Sequence, residues 1–349
     1  MKLQRALSAA ALALMVMPLH AQSNVQVFGL VDTMVYHKEL AGRPSMPSDR
    51  VDGGGLNTSF LGFRGAEELG GGLRVRFELT SFFRSDTGQM GRSDTDPFFS
   101  RSSWVGLQGG WGAASLGRQT TLSFTNMVRY SAFGGSSSFN PSFLHNYLSS
   151  ITQPMLTGSG AADSAWNNAV SYETPKFAGL VGALYYAPSE STNAGRRFGA
   201  SLSFTRGAFS MGLVGERIDD MSLNYAAPPT VALMRDSRLW NLGASYDLTF
   251  VKLYAQMIST SLSNAATDID LDTVTIGGSV PIGPGKVLVS YGQTSKSQTR
   301  QADVKRETTS LAYDYSLSRR TDLYTVFMHD GMTGKSSGNG YAVGIRHRF

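Results

Sequence analysis

Cysteine is absent from this chain of 349 residues, and charged residues make up only 16% of it. Without cysteine there is no disulfide framework, and the absence is compatible with an oxidising compartment where stray thiols are a liability. Long hydrophobic runs are also missing, since after residue 21 no uncharged apolar stretch approaches the ~18 residues of a membrane-spanning helix. A formal net charge of +5, without any block of basic residues, gives no case for nucleic-acid binding.

What the sequence does contain is strict alternation, which is clearest in residues 341–349. Side chains of a β-strand point to opposite faces with a period of two. One face of this segment would carry Tyr341, Val343, Ile345, His347 and Phe349, and the other Ala342, Gly344, Arg346 and Arg348. A strand with one apolar and one charged face is typical of a barrel wall between lipid and a water-filled lumen. The mean hydropathy of −0.13 suits such a wall, in which only alternate residues need be apolar.

The N-terminal segment predicts export. Lys2 and Arg5 precede an apolar core, residues 6–17, and the segment ends on the small residue Ala21. The core has about a dozen residues, fewer than the ~20 of a membrane helix, so residues 1–21 are predicted to be a secretory signal peptide. The alternative is a buried N-terminal helix. Cleavage after Ala21 would leave one β-barrel domain, residues 22–349.

Beyond residue 21 the sequence contains about sixteen alternating segments of roughly ten residues, separated by turn signals. The predicted strands lie near 24–36, 57–66, 73–84, 98–109, 113–120, 166–174, 178–187, 197–206, 208–217, 237–247, 251–261, 272–281, 286–295, 304–315, 320–329 and 340–349. Short turns alternate with longer polar connections, among them 37–56, 218–236 and the longest, 121–165. This pattern indicates an all-β fold, a transmembrane antiparallel β-barrel of the outer membrane, whereas a β-sandwich or β-solenoid has no reason to alternate so.

The number of strands bears on function. An eight-stranded barrel is filled by its own side chains, whereas about sixteen strands leave an aqueous channel. The predicted lumen-facing charges are Arg64, Arg74, Arg76, Glu78 or its neighbours, Arg346 and Arg348. The simplest interpretation of most of them is that they solvate the inner wall.

Several ordered blocks carry a family resemblance. They are 59–73 with Leu-Gly-Phe-Arg-Gly, 98–107 with Trp-Val-Gly-Leu, 114–119, 167–175 with Asn-Asn-Ala-Val, and the ending 344–349. Together they resemble the trimeric Gram-negative general porins, in particular the beta-proteobacterial branch that includes Burkholderia- and Neisseria-like members, over nearly the whole mature chain. The resemblance implies a homotrimer of sixteen-stranded barrels, each with its own pore and with a third loop, here 121–165, folded inward as a constriction.

The resemblance also implies partners and a location. The protein would reach the outer membrane through the periplasm and sit among outer-membrane lipid and lipopolysaccharide. Its final residue, Phe349, would be the signal that the barrel assembly machinery reads.

At the constriction the sequence departs from the family pattern. Arg101, before Trp-Val-Gly-Leu, matches one family arginine, but Phe60 stands where another is usual. Ala165 replaces a third arginine. Thr80 and Ala132 occupy positions at which members of the family carry acids.

The remaining basic candidates for the constriction are Arg118 and Arg129, provided that they point inward. Fewer facing charges weaken the transverse field of a pore. These residues predict passive diffusion of ions and small hydrophilic solutes with a modest anion preference. They also predict a constriction that Phe60 makes more apolar. One alternative is that other Glu or Asp residues restore the acidic side.

Other functions fit the sequence less well. A substrate-preferring channel for one small nutrient, with Phe60 in its track, is the main alternative. Adhesion would need a dominant external domain, and catalysis would need a Ser/His or Asp/His constellation at one rim. The neighbours His329 and Asp330 would point apart on a strand, so no enzyme, metal site or cofactor is expected.

Overall fold

The structure is a computed structural model that describes residues 24–42, 49–146, 164–189, 195–226 and 229–349. Its strands are β1 (Asn24–Lys38), β2 (Asp49–Gly53), β3 (Phe60–Gly70), β4 (Leu73–Phe82), β5 (Ser102–Gly109), β6 (Gly112–Thr120), β7 (Ala165–Glu173), β8 (Leu180–Ala187), β9 (Arg197–Arg206), β10 (Phe209–Ala226), β11 (Pro229–Asp247), β12 (Lys252–Ser263), β13 (Asp268–Ile282), β14 (Gly285–Gln298), β15 (Val304–Ser316), β16 (Thr321–Met332) and β17 (Gly338–Arg348). Two short helices, α1 (Leu122–Arg129) and α2 (Pro141–Asn146), follow β6.

Neither of these helices, nor any other in the described ranges, is long and apolar enough to cross a membrane. The predicted signal peptide, residues 1–21, lies outside the described residues.

The strands form one closed antiparallel sheet. β1 pairs with β17 along one edge, and along its other edge with β2 through Thr33–His37 and with β3 through Asn24–Leu30. β2 and β3 are therefore two halves of one barrel strand, interrupted at residues 54–59. The 17 strand segments thus occupy sixteen positions around the barrel, which confirms the predicted fold.

Alternation along the strands sorts side chains into an outward apolar face and an inward face. On β17, Tyr341 and Val343 are 52% and 64% exposed, whereas Arg346 is 6% exposed. The same holds on β12, where Met257 is exposed outward and its neighbour Gln256 is buried inward. The predicted orientation of the terminal strand is confirmed, because an outward face in lipid must be apolar while an inward face can be polar.

Two parts of the prediction were wrong. The connection predicted at 218–236 is mostly strand, because β10 and β11 extend through it as a long hairpin. Residues 49–53, within the predicted loop 37–56, form β2. Charged residues interrupt the apolar alternation here, and cross-strand ion pairs hold the hairpin, with the Arg217 Nε atom 2.9 Å from the Asp236 Oδ1 atom. In the sequence such a charged interruption resembles the start of a polar loop.

The barrel interior is partly filled by the connection after β6. α1 lies against β10 and β11, and α2 lies against β13, β14 and β15. Between them, Phe133, Phe139 and Leu144 pack into an apolar cluster with inward residues of β1 and β16, such as Met34 and Met328. The described part of this connection, residues 121–146, therefore lies against the inner wall as predicted for an inward loop. Its remainder, 147–163, lies outside the described residues.

Candidate functional site

The inward loop starts with a capped helix. Thr121 is the N-cap of α1, and its hydroxyl accepts a hydrogen bond from the Phe124 amide at 3.2 Å. The buried carboxylate of Glu216, on β10, accepts the Ser123 amide at 2.9 Å and the Ser123 hydroxyl at 2.6 Å. A carboxylate at a helix N-terminus satisfies free amides and complements the helix dipole, so Glu216 fixes where the loop enters the lumen.

Further inward polar side chains hold α1 along its length. The Asn126 amide donates to the Asn241 side-chain oxygen at 3.0 Å, and the Gln256 amide donates to the Met127 carbonyl at 2.9 Å. Tyr130 then packs directly onto Gly243, where a Cβ atom would collide with its ring. The wall therefore supplies both polar anchors and a glycine surface that lets the loop approach closely.

The second half of the loop is held by His145. Its Nδ1 and Nε2 atoms lie 2.8 Å from the hydroxyls of Thr294 and Thr308, on β14 and β15. Burial, and to a smaller extent the positive charge of Arg306, lower the pKa of His145 from 6.5 to about 3, while the negative charge of Asp330 opposes the change. His145 is therefore neutral, and each ring nitrogen has a hydroxyl partner.

A buried ion pair supports the same region. The Arg306 Nε and Asp330 Oδ1 atoms are 2.9 Å apart, both side chains are fully buried, and the Arg306 guanidinium also donates to the Leu144 carbonyl at 3.1 Å. Asp330 in turn accepts the Thr308 hydroxyl at 2.6 Å. His329, the neighbour of Asp330, contacts Asn339 on the outward face, so the two residues do point apart.

The interruption between β2 and β3 meets the tip of the loop. The Asp32 carboxylate accepts the Asn57 amide at 2.8 Å, and the Ser59 hydroxyl donates to the Asp32 carbonyl at 3.1 Å. The freed carbonyl groups of Gly54 and Gly55 accept hydrogen bonds from the hydroxyls of Ser138 and Ser136. The break in the strand thus provides backbone acceptors for the inward loop.

The arc of wall formed by β3, β4 and β5 is basic. The inward side chains of Arg64 and Arg76 are exposed to the lumen, and each donates to an amide at 3.1 Å, Gln26 and Gln108 respectively. Among the described residues neither forms an ion pair, so their positive charge is not neutralised. Arg74, nearer the short-turn rim, is 3.3 Å from Glu68.

Three of the predicted constriction residues meet on this arc. The Arg101 guanidinium lies 4.4 Å from the ring centre of Phe60 and 3.6 Å from the Glu78 carboxylate. The Thr80 hydroxyl donates to the same carboxylate at 3.1 Å. The acid missing at Thr80 is therefore present two residues earlier, but on the same wall as Arg101. The structure brings Arg101, Phe60 and Thr80 together; that they constrict the pore stays a prediction.

The other predicted residues lie elsewhere. Arg129 ends α1 inside the barrel and donates to the Thr205 hydroxyl at 3.0 Å, away from Arg101. Ala132 is partly buried and packs towards Gly277 on β13. Both remain candidates on the loop side of the lumen.

Arg118 is buried beside the same part of the wall. It faces Ser103 across the unbroken ladder between β5 and β6, and its guanidinium donates to the Ser100 carbonyl at 2.8 Å and to the Asn167 side-chain oxygen at 2.6 Å. That Arg118 lines the constriction stays a prediction.

The residues that position the loop were missed by sequence reasoning. They are the inward polar residues Glu216, Asn241, Gln256, Thr294, Arg306 and Thr308. The available signal was their register, since each is a polar residue at an inward position of its strand. The sequence does not reveal which segment they bind.

Comparison with known proteins gives a consistent result. Residues 6–335 match the Gram-negative porin family. Outer membrane porin protein 32 of Delftia acidovorans is 29% identical over 94% of this chain and 95% of its own length. A second outer membrane porin protein, from Bordetella pertussis, is 27% identical, with coverage of 98% and 99%. Among solved structures, an anion-selective porin from Comamonas acidovorans is similar with a TM-score of 0.75 at 28% identity, covering 94% of this chain and 100% of that one.

Proposed function

The chain belongs to the Gram-negative porin family, and from that premise we propose that it conducts small hydrophilic solutes by passive diffusion, with a preference for anions. It is a β-barrel of the outer membrane. Transport through such a barrel depends on pore size, wall charge and gradient, and it requires no turnover.

One observation carries the anion preference. The basic arc presents Arg64, Arg76 and Arg101 to the lumen, whereas the described part of the inward loop, residues 121–146, contains no Asp or Glu, and the whole connection 121–165 contains one, Asp163. Because the loop carries so little negative charge, the unneutralised arginines of the arc raise the local concentration of anions in the lumen. The similarity to an anion-selective porin supports the same assignment.

Reversal potentials across a planar bilayer in a KCl gradient test this proposal. We expect chloride to be favoured, and we expect Arg64→Gln combined with Arg76→Gln to reduce the permeability ratio of chloride to potassium at least about two-fold, because the two unneutralised charges are removed. Arg238→Gln is the matched control, since Arg238 lies on the outward face and pairs with Asp236. Cation selectivity of the unmodified channel would overturn the proposal.

We also propose that the protein works as a homotrimer among outer-membrane lipid and lipopolysaccharide and that Phe349 is read by the barrel assembly machinery. Family membership supports the trimer. The proposed signal peptide, residues 1–21, fits this export route.

A further inference from the structure

Aromatic rings accompany the arginines of the basic arc. Each of three guanidinium groups lies over an inward ring, with distances from Cζ to the ring centre of 4.5 Å for Arg64 and Phe28, 5.8 Å for Arg76 and Trp104, and 4.4 Å for Arg101 and Phe60. Phe28 and Phe60 also meet edge to face, with ring centres 6.0 Å apart. We call these six residues the arginine–aromatic lane.

The lane lies on adjacent strands of the wall. Arg64 is in register with Gln26 on one side and Glu78 on the other, and Glu78 is in register with Trp104. These registers place the rings and guanidinium groups of β1, β3, β4 and β5 on one patch of the inner wall.

The guanidinium groups keep donors for a ligand. Stacking on a ring engages the flat face of a guanidinium and leaves its N–H edge open to a carboxylate. Arg64 and Arg76 each donate to one amide. Within the part of the chain that the structure describes, the Arg101 guanidinium has no hydrogen-bond acceptor, and Glu78 stays at 3.6 Å.

Charge selection alone does not explain the rings. Lysine or arginine among serine and threonine would attract anions equally well. Phe28, Phe60 and Trp104 instead leave part of their apolar surface facing a lumen, and partly exposed rings next to open N–H donors suit a solute that carries a flat apolar part and a negative charge.

We propose that the arginine–aromatic lane is a binding track for aromatic carboxylates. The inference rests on the proposed anion channel and names its preferred solute class. The carboxylate of the solute pairs with the edge of a guanidinium, and its ring packs against the neighbouring Phe or Trp. Passage then proceeds from one such site to the next.

A comparison of two anions of equal charge and similar size tests the proposal. We expect the permeability of benzoate relative to chloride, measured by reversal potential, to exceed that of cyclohexanecarboxylate about two- to ten-fold, the range of one aromatic ring pair. Benzoate should also block the KCl current briefly at lower concentration than cyclohexanecarboxylate. Equal permeability and equal block for the two anions would overturn the proposal.

Single substitutions test which residues cause the preference for benzoate over cyclohexanecarboxylate. Phe60→Leu removes a ring but keeps the apolar volume and Arg101, so the permeability of benzoate relative to cyclohexanecarboxylate should fall at least about two-fold. Phe63→Leu is the control, because Phe63 lies on the same strand but faces outward with 39% exposure. If Phe60→Leu does not insert, Arg101→Lys tests the same contact and Trp104→Leu tests the contact of Arg76 with Trp104, and an unchanged benzoate preference in both variants would refute the proposal.

The outcomes separate the two proposals. A channel that prefers potassium contradicts the proposed function. A channel that prefers chloride but treats benzoate and cyclohexanecarboxylate alike keeps the proposed function and refutes the aromatic track alone.

Discussion

At the scale of single residues, His145 connects the inward loop to the wall through a titratable group. Its ring is fully buried between Thr294 and Thr308, and the nearest charges are the paired Arg306 and Asp330. In the folded state its pKa is about 3, against 6.5 for an unperturbed histidine. The unfolded chain therefore binds more protons between these values, and stability present above pH 6.5 is lost as the pH falls towards 3.

We expect His145→Gln to reduce this acid sensitivity, because glutamine keeps a hydrogen-bonding group but does not titrate. On going from pH 7 to pH 4, the unfolding temperature of the unmodified protein should fall by at least about 2 °C more than that of the variant. Circular dichroism during heating measures both. Parallel shifts of the two proteins would show that His145 contributes nothing to the acid response.

Single residues also show where sequence reasoning reaches its limit. Phe60 and Thr80 share the inward face because alternation fixes the register of β3 and β4. The hydrogen bonds of Arg118 with Ser100 and Asn167 could not be predicted, because they join segments far apart in the sequence. The proximity of Glu78 to Arg101 joins residues of different strands, which no short motif encodes.

At the scale of elements, the position of α1 depends on a carboxylate from another strand. Glu216 binds the first turn of the helix, and Asn241 and Gln256 hold the remainder. A short helix of 8 residues is not stable alone, so the wall determines where it lies.

Glu216→Ala should loosen this end of the loop. Loss of the charged acceptor removes about 1–3 kcal/mol of interaction with the helix N-terminus, so we expect larger and noisier single-channel currents. Glu216→Gln keeps the shape of the side chain and one acceptor oxygen. Its single-channel current and noise should therefore lie between those of the unmodified protein and those of Glu216→Ala. Currents of normal size and noise in Glu216→Ala would mean that the remaining anchors suffice.

The strands themselves were largely predictable. Lipid on one side and water on the other force apolar and polar residues to alternate, and the ranges predicted for β12 to β17 differ from the observed ones by only a few residues. β2 lacks this alternation and was missed, and the hairpin ends of β10 and β11 were missed because the charged residues 219–220 and 235–236 interrupt it. The helices α1 and α2 were missed too, because tertiary contacts rather than periodicity create them.

At the scale of the whole molecule, the sheet closes at the junction of β1 and β17. The Phe349 amide donates to the Gly29 carbonyl and the Gly29 amide donates to the Phe349 carbonyl, both at 3.1 Å. The Phe349 ring also lies against Gly29, where a Cβ atom would come within 2.5 Å of it. The last residue of the chain thus completes both the hydrogen-bond ladder and the outward surface.

Deleting Phe349 should reduce the amount of inserted barrel several-fold while leaving the conductance of inserted channels unchanged, since Phe349 lies outside the lumen. Heat-dependent gel mobility of outer-membrane fractions measures insertion. Phe349→Ala distinguishes the causes, because it keeps the backbone pairs and removes the ring. Normal insertion of the deletion variant would refute a role for Phe349 in assembly.

The same junction also affects how fast the barrel folds. Every other neighbouring pair of strands is joined by a hairpin, by the inward loop or by another direct connection, but β1 and β17 stand at opposite ends of the chain. Closing so large a loop costs the most chain entropy, so this pairing should form last. Until then β1 and β17 are open edges that can pair with other chains. Closure of the barrel by pairing of β1 with β17 is therefore expected to be the slowest folding step, and the open barrel before it the species most prone to aggregate.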